Sequence, residues 1–300
     1  MGTLDGRVAI ITGAGRGIGR EHALLFASEG AKVVVNDLGG AADGTGGDAS
    51  PAEEVVAEIK AMGGEAIANH DDVADWDGAK RLVDGAIETF GGLDILVNNA
   101  GILRDRMFAN TTIEEWDAVI HVHLRGHFCP TRHAAGYWRE KVKSGETVHA
   151  SVINTSSTSG LFGNVGQTNY GAAKMGIAAM TIIENMELSR YGVRVNAIAP
   201  AARTRLTASL GGLSSQEVAP DEFDQMDPAN ISPWVAYLAT EDCPVNGRVF
   251  LVWGGKVQLF QPFAIVDGIE KDGRWTVEEL KKEGARLADV PFDLRNPFGG

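Results

Sequence analysis

The chain has 300 residues, 44% of them hydrophobic, enough to bury a large core in one big domain or two small ones. Acidic side chains outnumber basic ones 40 to 27, for a formal charge of −13, and with no basic block or stripe that balance argues against nucleic acid as a partner. The two cysteines, Cys129 and Cys243, fall in no metal-ligand spacing, and no apolar run resembles a membrane span or a signal peptide. A soluble cytoplasmic protein with reduced thiols, no membrane partner and no metal centre is expected.

Short β-rich apolar runs alternate with longer helical patterns. The spacing predicts strands at 8–12, 32–36, 65–68, 93–98, 151–155, 194–198 and 248–252. Near-continuous runs such as AKVVVN suit strands covered on both faces. Between them, Ser50-Pro51-Ala52-Glu53 reads as a capping box opening a helix that Gly63 follows. Asp75 caps a helix to about Thr89, and Thr112 with Glu115 opens a long pattern reaching Lys143, bent near Gly126 and Pro130. This alternation predicts an α/β fold: a doubly wound, parallel, seven-stranded sheet with helices on both faces, a Rossmann fold, over residues 1–255. Residues 38–50 form a glycine-rich loop. The stretch 256–300 lacks the alternation but carries Phe260, Phe263, Trp275, Phe292 and Phe298, so a C-terminal extension packing on the domain or on a neighbouring subunit is expected.

The first strand runs into Thr12-Gly13-Ala14-Gly15-Arg16-Gly17-Ile18-Gly19 and then a helix. Glycines there permit a tight turn and a close approach of backbone to a diphosphate, while the helix N-terminus offers unpaired N–H groups. Asp37, followed by Leu38, ends the second strand where a ribose-binding acid belongs. Its carboxylate would repel a 2′-phosphate, which favours NAD over NADP; Arg16 pulls weakly the other way, or pairs with Asp37, or points into solvent.

The nicotinamide end of such a dinucleotide reaches the loops after the fourth and fifth strands, 98–101 and 154–157. The next helix places Tyr170 and Lys174 one turn apart on one face. Hydride transfer at a carbonyl carbon needs a proton moved at its oxygen. A phenol with an ordinary pKa of about 10 becomes a usable base if a lysine cation and an oxidised nicotinamide lower it by about three units, roughly 4 kcal/mol. Ser157 is placed to hydrogen-bond the substrate oxygen, with Ser156 as the alternative.

These motifs, TGAGRGIG, NNAG and a serine followed by YxxxK, resemble the short-chain dehydrogenase/reductase family from about Leu4 to Gly255. The resemblance implies catalytic roles for Ser157, Tyr170 and Lys174, with Asp72 and Val73 near the adenine. It places Asn99, Ala100 and Gly101 along the cofactor and Pro200 to Arg203 near its carboxamide, and it implies a homodimer or homotetramer. His123 stands where the family usually has an asparagine that supports the active lysine. Pro200-Ala201-Ala202 replaces the usual Pro-Gly. VHLRG, VVVNDLGG and LRDRMF narrow the resemblance to the hydroxyacyl-CoA dehydrogenase part of the peroxisomal multifunctional enzyme and its bacterial relatives. That implies NAD-dependent oxidation of a 3-hydroxyacyl-CoA or of a steroid-derived thioester. An NADPH-dependent 3-oxoacyl carrier-protein reductase and a non-catalytic dinucleotide-binding protein remain as alternatives. Arg203 and Arg205 are candidates for a CoA phosphate or plain loop arginines.

Overall fold

Apolar side chains alternate between two cores along the central strands. Ala9, Ile11, Val33 and Val35 enter one cluster, while Val8, Ile10 and Val34 enter the other. A strand that buries both its faces must lie inside a sheet covered by helices on each side, and this is the arrangement in the computed structural model, which describes residues 2–204, 218–219, 222–261 and 263–291. The strands are β1 (Val8–Thr12), β2 (Lys32–Asn36), β3 (Glu65–Asn69), β4 (Ile95–Asn98), β5 (Ala150–Thr155), β6 (Val193–Pro200), β7 (Val249–Trp253) and β8 (Lys256–Leu259). They order as β3-β2-β1-β4-β5-β6-β7-β8.

The first seven run parallel, as expected. The sheet has an eighth strand that the sequence pattern does not predict: after a turn at Gly254, with φ +49°, β8 pairs antiparallel with β7. A KVQL stretch carries little strand signal of its own, and its four residues are all exposed, so a tight turn onto an open sheet edge decides its conformation.

The helices are α1 (Gly17–Ser28), α2 (Ser50–Ala61), α3 (Trp76–Phe90), α4 (Ile113–Ile120), α5 (Gly126–Lys143), α6 (Thr158–Leu161), α7 (Thr168–Leu188), α8 (Ser232–Ala239) and α9 (Val277–Glu283). Residues of α1, α2 and α8 pack in the first cluster and those of α3 and α5 in the second. Asp75 caps α3 by accepting from the Gly78 amide at 2.6 Å, and Thr112 with Glu115 forms the full capping box of α4. The start of α2 differs from the expectation. Asp48, not Ser50, supplies the acceptor, taking the Ser50 amide at 3.0 Å and its hydroxyl at 2.7 Å. The irregularity in the long helix lies directly before Gly126, at His121–Arg125, where the backbone widens into a π turn. Such a turn inserts one extra residue and re-aims the side chains it carries; here it carries His123.

By contacts the chain divides into two compact units, Met1–Leu259 and Phe260–Gly300. In the second, Thr276 and Glu279 cap α9 reciprocally, and Lys271 pairs with Glu279 at 2.7 Å and lies 5.2 Å from the centre of the Trp275 ring. Phe292 and Phe298 lie outside the described residues. Strand order reverses between β1 and β4, and the crevice at the carboxyl ends of those strands is where a doubly wound sheet takes its ligand.

Candidate active site

Glycine does specific work where β1 stops. Gly13 takes a φ of +63° and Gly17 one of +55°, a region side chains rarely adopt. A Cβ on Gly13 would stand 2.7 Å from the Ala100 Cα, and one on Gly19 would stand 2.2 Å from the Gly13 carbonyl oxygen and 2.5 Å from Asn99 Nδ2. The turn is then pinned by polar contacts. Thr12 Oγ1 accepts from the Asn99 and Ala100 amides at 2.9 and 3.0 Å, and Asn99 Nδ2 donates to the Thr12 and Gly13 carbonyls at 2.9 and 3.1 Å. Arg16 at the N-cap makes no side-chain capping bond to α1, so among the described residues its first-turn amides, at Gly17, Ile18 and Gly19, are left for an acceptor that carries negative charge. Arg16 before them is exposed.

The carboxylate of Asp37 is fixed by two amides, Gly15 to Oδ2 at 2.8 Å and Gly39 to Oδ1 at 2.7 Å; Leu38 beside it is half exposed. Asp72 accepts from the Ala74 amide at 2.8 Å, next to buried Val73. Pro200 ends β6, and Arg203 pairs with Asp224 at 2.6 Å; Arg205 lies outside the described residues. A glycine cradle, an uncapped helix start and a fixed acid one strand over match the diphosphate and ribose of a dinucleotide. Gly19→Ala is expected to destabilise the protein by about 1–3 kcal/mol, the usual cost of overpacking, and to weaken dinucleotide binding. Gly85→Ala in α3, where an added Cβ meets nothing within 4 Å, is the control, expected to be neutral or stabilising. Urea midpoints of the two variants check this.

On α7, Tyr170 and Lys174 share a face, with Lys174 Nζ 5.5 Å from the centre of the Tyr170 ring. Lys174 is 2% exposed and donates to the Thr155 carbonyl at 2.6 Å. The Ser157 hydroxyl lies close enough to the Tyr170 phenol to favour its ionised form, and it accepts from the Ser159 amide at 3.2 Å. Ser156 is buried and its Oγ donates to the Lys174 carbonyl at 2.7 Å, which ties β5 to α7. The structure thus separates the two serines: Ser157 meets the phenol, Ser156 holds the scaffold.

His123 is buried edge-on to Tyr170, ring centres 5.1 Å apart. It needs a glycine opposite, since a Cβ on Gly101 would lie 2.4 Å from His123 Cε1. Its Nε2 stands 2.8 Å from the Ile102 carbonyl and 3.1 Å from the Ile102 amide. One nitrogen serves one of these at a time, and donation to the carbonyl is the shorter contact. Nδ1 then has no hydrogen-bond partner among the described residues. His127 receives the Thr155 amide on Nε2 at 3.4 Å. Burial, and then the charge of Lys174, hold both imidazoles well below the ordinary histidine value, so both are neutral at pH 7. Among the described residues no three His, Cys, Asp or Glu side chains group as a metal site.

The chain alone does not lower the phenol. Burial pushes the Tyr170 phenol up to about 12, opposed by the nearby Ser157 hydroxyl and helped by the negative charge of Asp105, while burial lowers Lys174 to about 7. A lysine taken out of water gives up much of the charge that would acidify its neighbour. The protein by itself therefore keeps the phenol protonated.

The sequence pattern of the short chain dehydrogenase family matches residues 7–216. This chain belongs to that family. The short-chain dehydrogenase is 45% identical over 302 residues to hydroxyacyl-CoA dehydrogenase ChsB1 of Mycobacterium tuberculosis, covering 98% of this chain and 91% of the relative. It is 42% identical over 290 residues to peroxisomal multifunctional enzyme type 2 of Drosophila melanogaster, covering 95% of this chain and 46% of that longer protein. A crystal structure of a short chain dehydrogenase from Mycobacterium avium matches it with a TM-score of 0.88 at 52% identity, over 100% of both chains. Membership makes it an oxidoreductase that uses an NAD(P)-type dinucleotide. None of its described helices is long and apolar enough to cross a membrane.

Several supports of the site are not evident from sequence. Thr12 lies in the TGAGRGIG motif, but nothing in the motif marks it as an anchor. Asn98 Nδ2 donates to Thr131 Oγ1 and Asn154 Oδ1, both at 2.9 Å, and Asn154 Nδ2 donates to Thr181 Oγ1 at 3.1 Å and Glu184 Oε2 at 3.0 Å. This buried chain stitches the ends of β4 and β5 to α5 and α7; burial pushes Glu184 up to about 7. Two asparagines at the ends of adjacent strands, each beside or close to a site residue, are the available signal.

Proposed function

We propose that this dehydrogenase interconverts a secondary alcohol and a ketone with NAD, acting on a 3-hydroxyacyl thioester or a steroid-derived thioester. The observation that carries the reading is the grouping of Tyr170 with Lys174, whose Nζ lies 5.5 Å from the phenol ring, and with Ser157 beside the phenol just after β5. The name of the hydroxyacyl-CoA dehydrogenase relative, matched over nearly its whole length, supports the thioester.

Gly13, Arg16, Gly17, Ile18 and Gly19 hold the diphosphate at the start of α1. Asp37 and Leu38 take the adenosine ribose, Asp72 and Val73 flank the adenine, and Asn99, Ala100, Gly101, Pro200 and Arg203 line the nicotinamide half. When bound, the nicotinamide supplies the hydride acceptor and, oxidised, a positive charge beside the phenol. In the chain itself, Ser157 orients the substrate oxygen and Tyr170 takes its proton. Lys174 holds the ribose and stabilises the phenolate, and His123 fixes the 101–102 backbone against the Tyr170 ring.

Reduction of NAD and of NADP, followed by absorbance across hydroxyacyl-CoA, steroid and simple alcohol substrates, tests the reading. Turnover confined to NADP with a carrier-protein thioester would replace it by the reductase alternative. Asp37 carries the cofactor preference in this reading: two amides fix its oxygens, and a carboxylate at the ribose would repel a 2′-phosphate. Asp37→Ala is expected to lower the ratio of NAD to NADP affinity by at least about tenfold, read by calorimetric titration. An unchanged ratio would remove Asp37 from cofactor choice.

A further inference from the structure

The glycine-rich loop after β2 has no part in the machinery described so far. It is closed at its base. The Asp48 amide donates to the Leu38 carbonyl at 3.2 Å, and a Cβ on Gly39 would lie only 1.7 Å from the Asp48 carbonyl oxygen. Its tip is a turn of its own, with the Gly44 amide on the Ala41 carbonyl at 3.0 Å and the Ala41 amide on the Thr45 carbonyl at 2.8 Å. The acids it carries face local donors: Asp43 Oδ1 accepts from the amide and hydroxyl of Thr45, and Asp48 Oδ1 from those of Ser50.

The tip is fastened beyond β4. The Leu103 amide donates to the Ala42 carbonyl at 3.0 Å, and Arg104 Nε donates to the Asp43 carbonyl at 2.9 Å. Gly44 sits against Ile102, whose Cδ1 would be 3.0 Å from an added Cβ. The anchoring stretch is itself held, Ile102 by His123 Nε2 on its carbonyl at 2.8 Å and Arg104 by Asn169 Nδ2 on its carbonyl at 3.0 Å. In the sheet β1 lies between β2 and β4. A loop based on one and fastened past the other therefore crosses the carboxyl end of β1, over the Gly13–Gly19 turn. A dinucleotide with its ribose on Asp37 and its nicotinamide along 99–101 runs the same way. Residues 43–50 all face solvent, so the loop is the outer layer.

We propose that residues 39–48 are a strap lying across the bound dinucleotide, which enters and leaves only when the tip parts from 102–104. The inference rests on the dinucleotide lying between Asp37 and Gly101. The fastening uses only groups of the chain, so it acts on entry and exit alike. Residues 39–48 include no basic side chain that would add affinity for phosphate. Two hydrogen bonds of ordinary net strength keep such a tip closed by a factor of roughly 10–100. Opening of this kind gates exchange without touching the chemical step.

The test is a variant in which Gly39 is joined directly to Asp48, the two residues that meet at the base. It keeps Asp37 and the Gly39 amide that fixes it. Stopped-flow fluorescence of NADH, or of NADPH if it binds tighter, gives both rate constants. Removing the strap is expected to raise association and dissociation together, each by roughly 10–100-fold. Because the gate is the same with and without cofactor, Kd should change by less than about threefold. Loss of Asp43 on its own would ease repulsion of a diphosphate, so it cannot mimic faster release. Should that variant not fold, Gly44→Ala and Gly46→Ala decide. Both glycines have positive φ, +86° and +72°, but an added Cβ meets Ile102 at Gly44 and, among the described residues, nothing within 4 Å at Gly46. Exchange should quicken more in Gly44→Ala. Rates equal to the parent's, or a Kd that rises with dissociation alone as an ordinary binding contact would give, overturn the proposal. Asp37→Ala tests the placement separately: if cofactor preference and affinity stay as in the parent, the dinucleotide does not lie there, whatever the strap does.

Discussion

Tyr170→Phe is expected to lower kcat by about 10²–10⁴-fold, the range general acid–base catalysis supplies, while leaving dinucleotide affinity within about twofold. The ring keeps its packing, edge-on to His123 at 5.1 Å and 5.5 Å from Lys174 Nζ, so only the hydroxyl is lost. A loss in kcat without a matching rise in KM marks an interaction made in the transition state. The direction of reaction sharpens the test. With the phenol held near 12, it is already the right acid for reducing a ketone. As a base for oxidising an alcohol it is ionised in only about one molecule in 10⁵ at pH 7 until bound cofactor and substrate lower it. Oxidation should therefore rise with pH, by up to about tenfold per unit, while reduction stays flat through neutrality. Both profiles follow from initial rates in the two directions. Oxidation that is equally flat, or Tyr170→Phe turning over within tenfold of the parent, would take the proton transfer away from Tyr170.

The same electrostatics show where sequence reasoning stops. Adjacency is legible: residues four apart on a helix must share a face, and Tyr170 and Lys174 do. So is the parallel arrangement of seven strands, because AKVVVN and its like leave no exposed face. The charge state is not legible, since it depends on how far Lys174 lies from water, and burial is a property of the packed fold. Gly126 and Pro130 mark the neighbourhood of the distortion but not its kind: the π turn lies directly before Gly126, at His121–Arg125, where His123 meets the Ile102 backbone and Gly101 leaves room for the ring. That contact joins residues some twenty positions apart, so no local signal announces it. The Gln167–Asp105 hydrogen bond is hidden for the same reason, its partners lying 62 positions apart. The start of α2 illustrates a smaller failure: Ala49 stands at the cap without a side-chain bond, and Asp48 before it holds the Ser50 amide, a placement set by the path of the glycine-rich loop.

Lys174→Met is expected to abolish turnover, by at least about 10²-fold, and yet to stabilise the cofactor-free protein near neutral pH. Lys174 is 2% exposed and its value falls from 10.5 to about 7 by burial, so its charged form is disfavoured in the folded state by ~5 kcal/mol. The sign follows from proton counting. Between about 7 and 10.5 the unfolded chain binds a proton at this lysine that the folded chain does not, so stability contributed at this position rises with pH across that window. The penalty is full below about 7 and absent above 10.5. Methionine has a similar length and no charge to desolvate. Against the gain stands the hydrogen bond to the Thr155 carbonyl, 2.6 Å in the parent, whose loss costs about 1–3 kcal/mol. The net gain should be a few kcal/mol, or roughly 5–10 °C in Tm at pH 7 for a domain of this size, shrinking toward zero or reversing as pH approaches 10. Thermal melts of both proteins across that range measure it, and dinucleotide titration reports whether the ribose contact goes with the ammonium. A variant less stable than the parent at pH 7, with a gap that does not change with pH, would mean that Lys174 is held charged at no cost in the folded protein. A full cation would then sit beside Tyr170 before any cofactor binds, and the phenol would be acidified by the chain alone rather than kept protonated by burial.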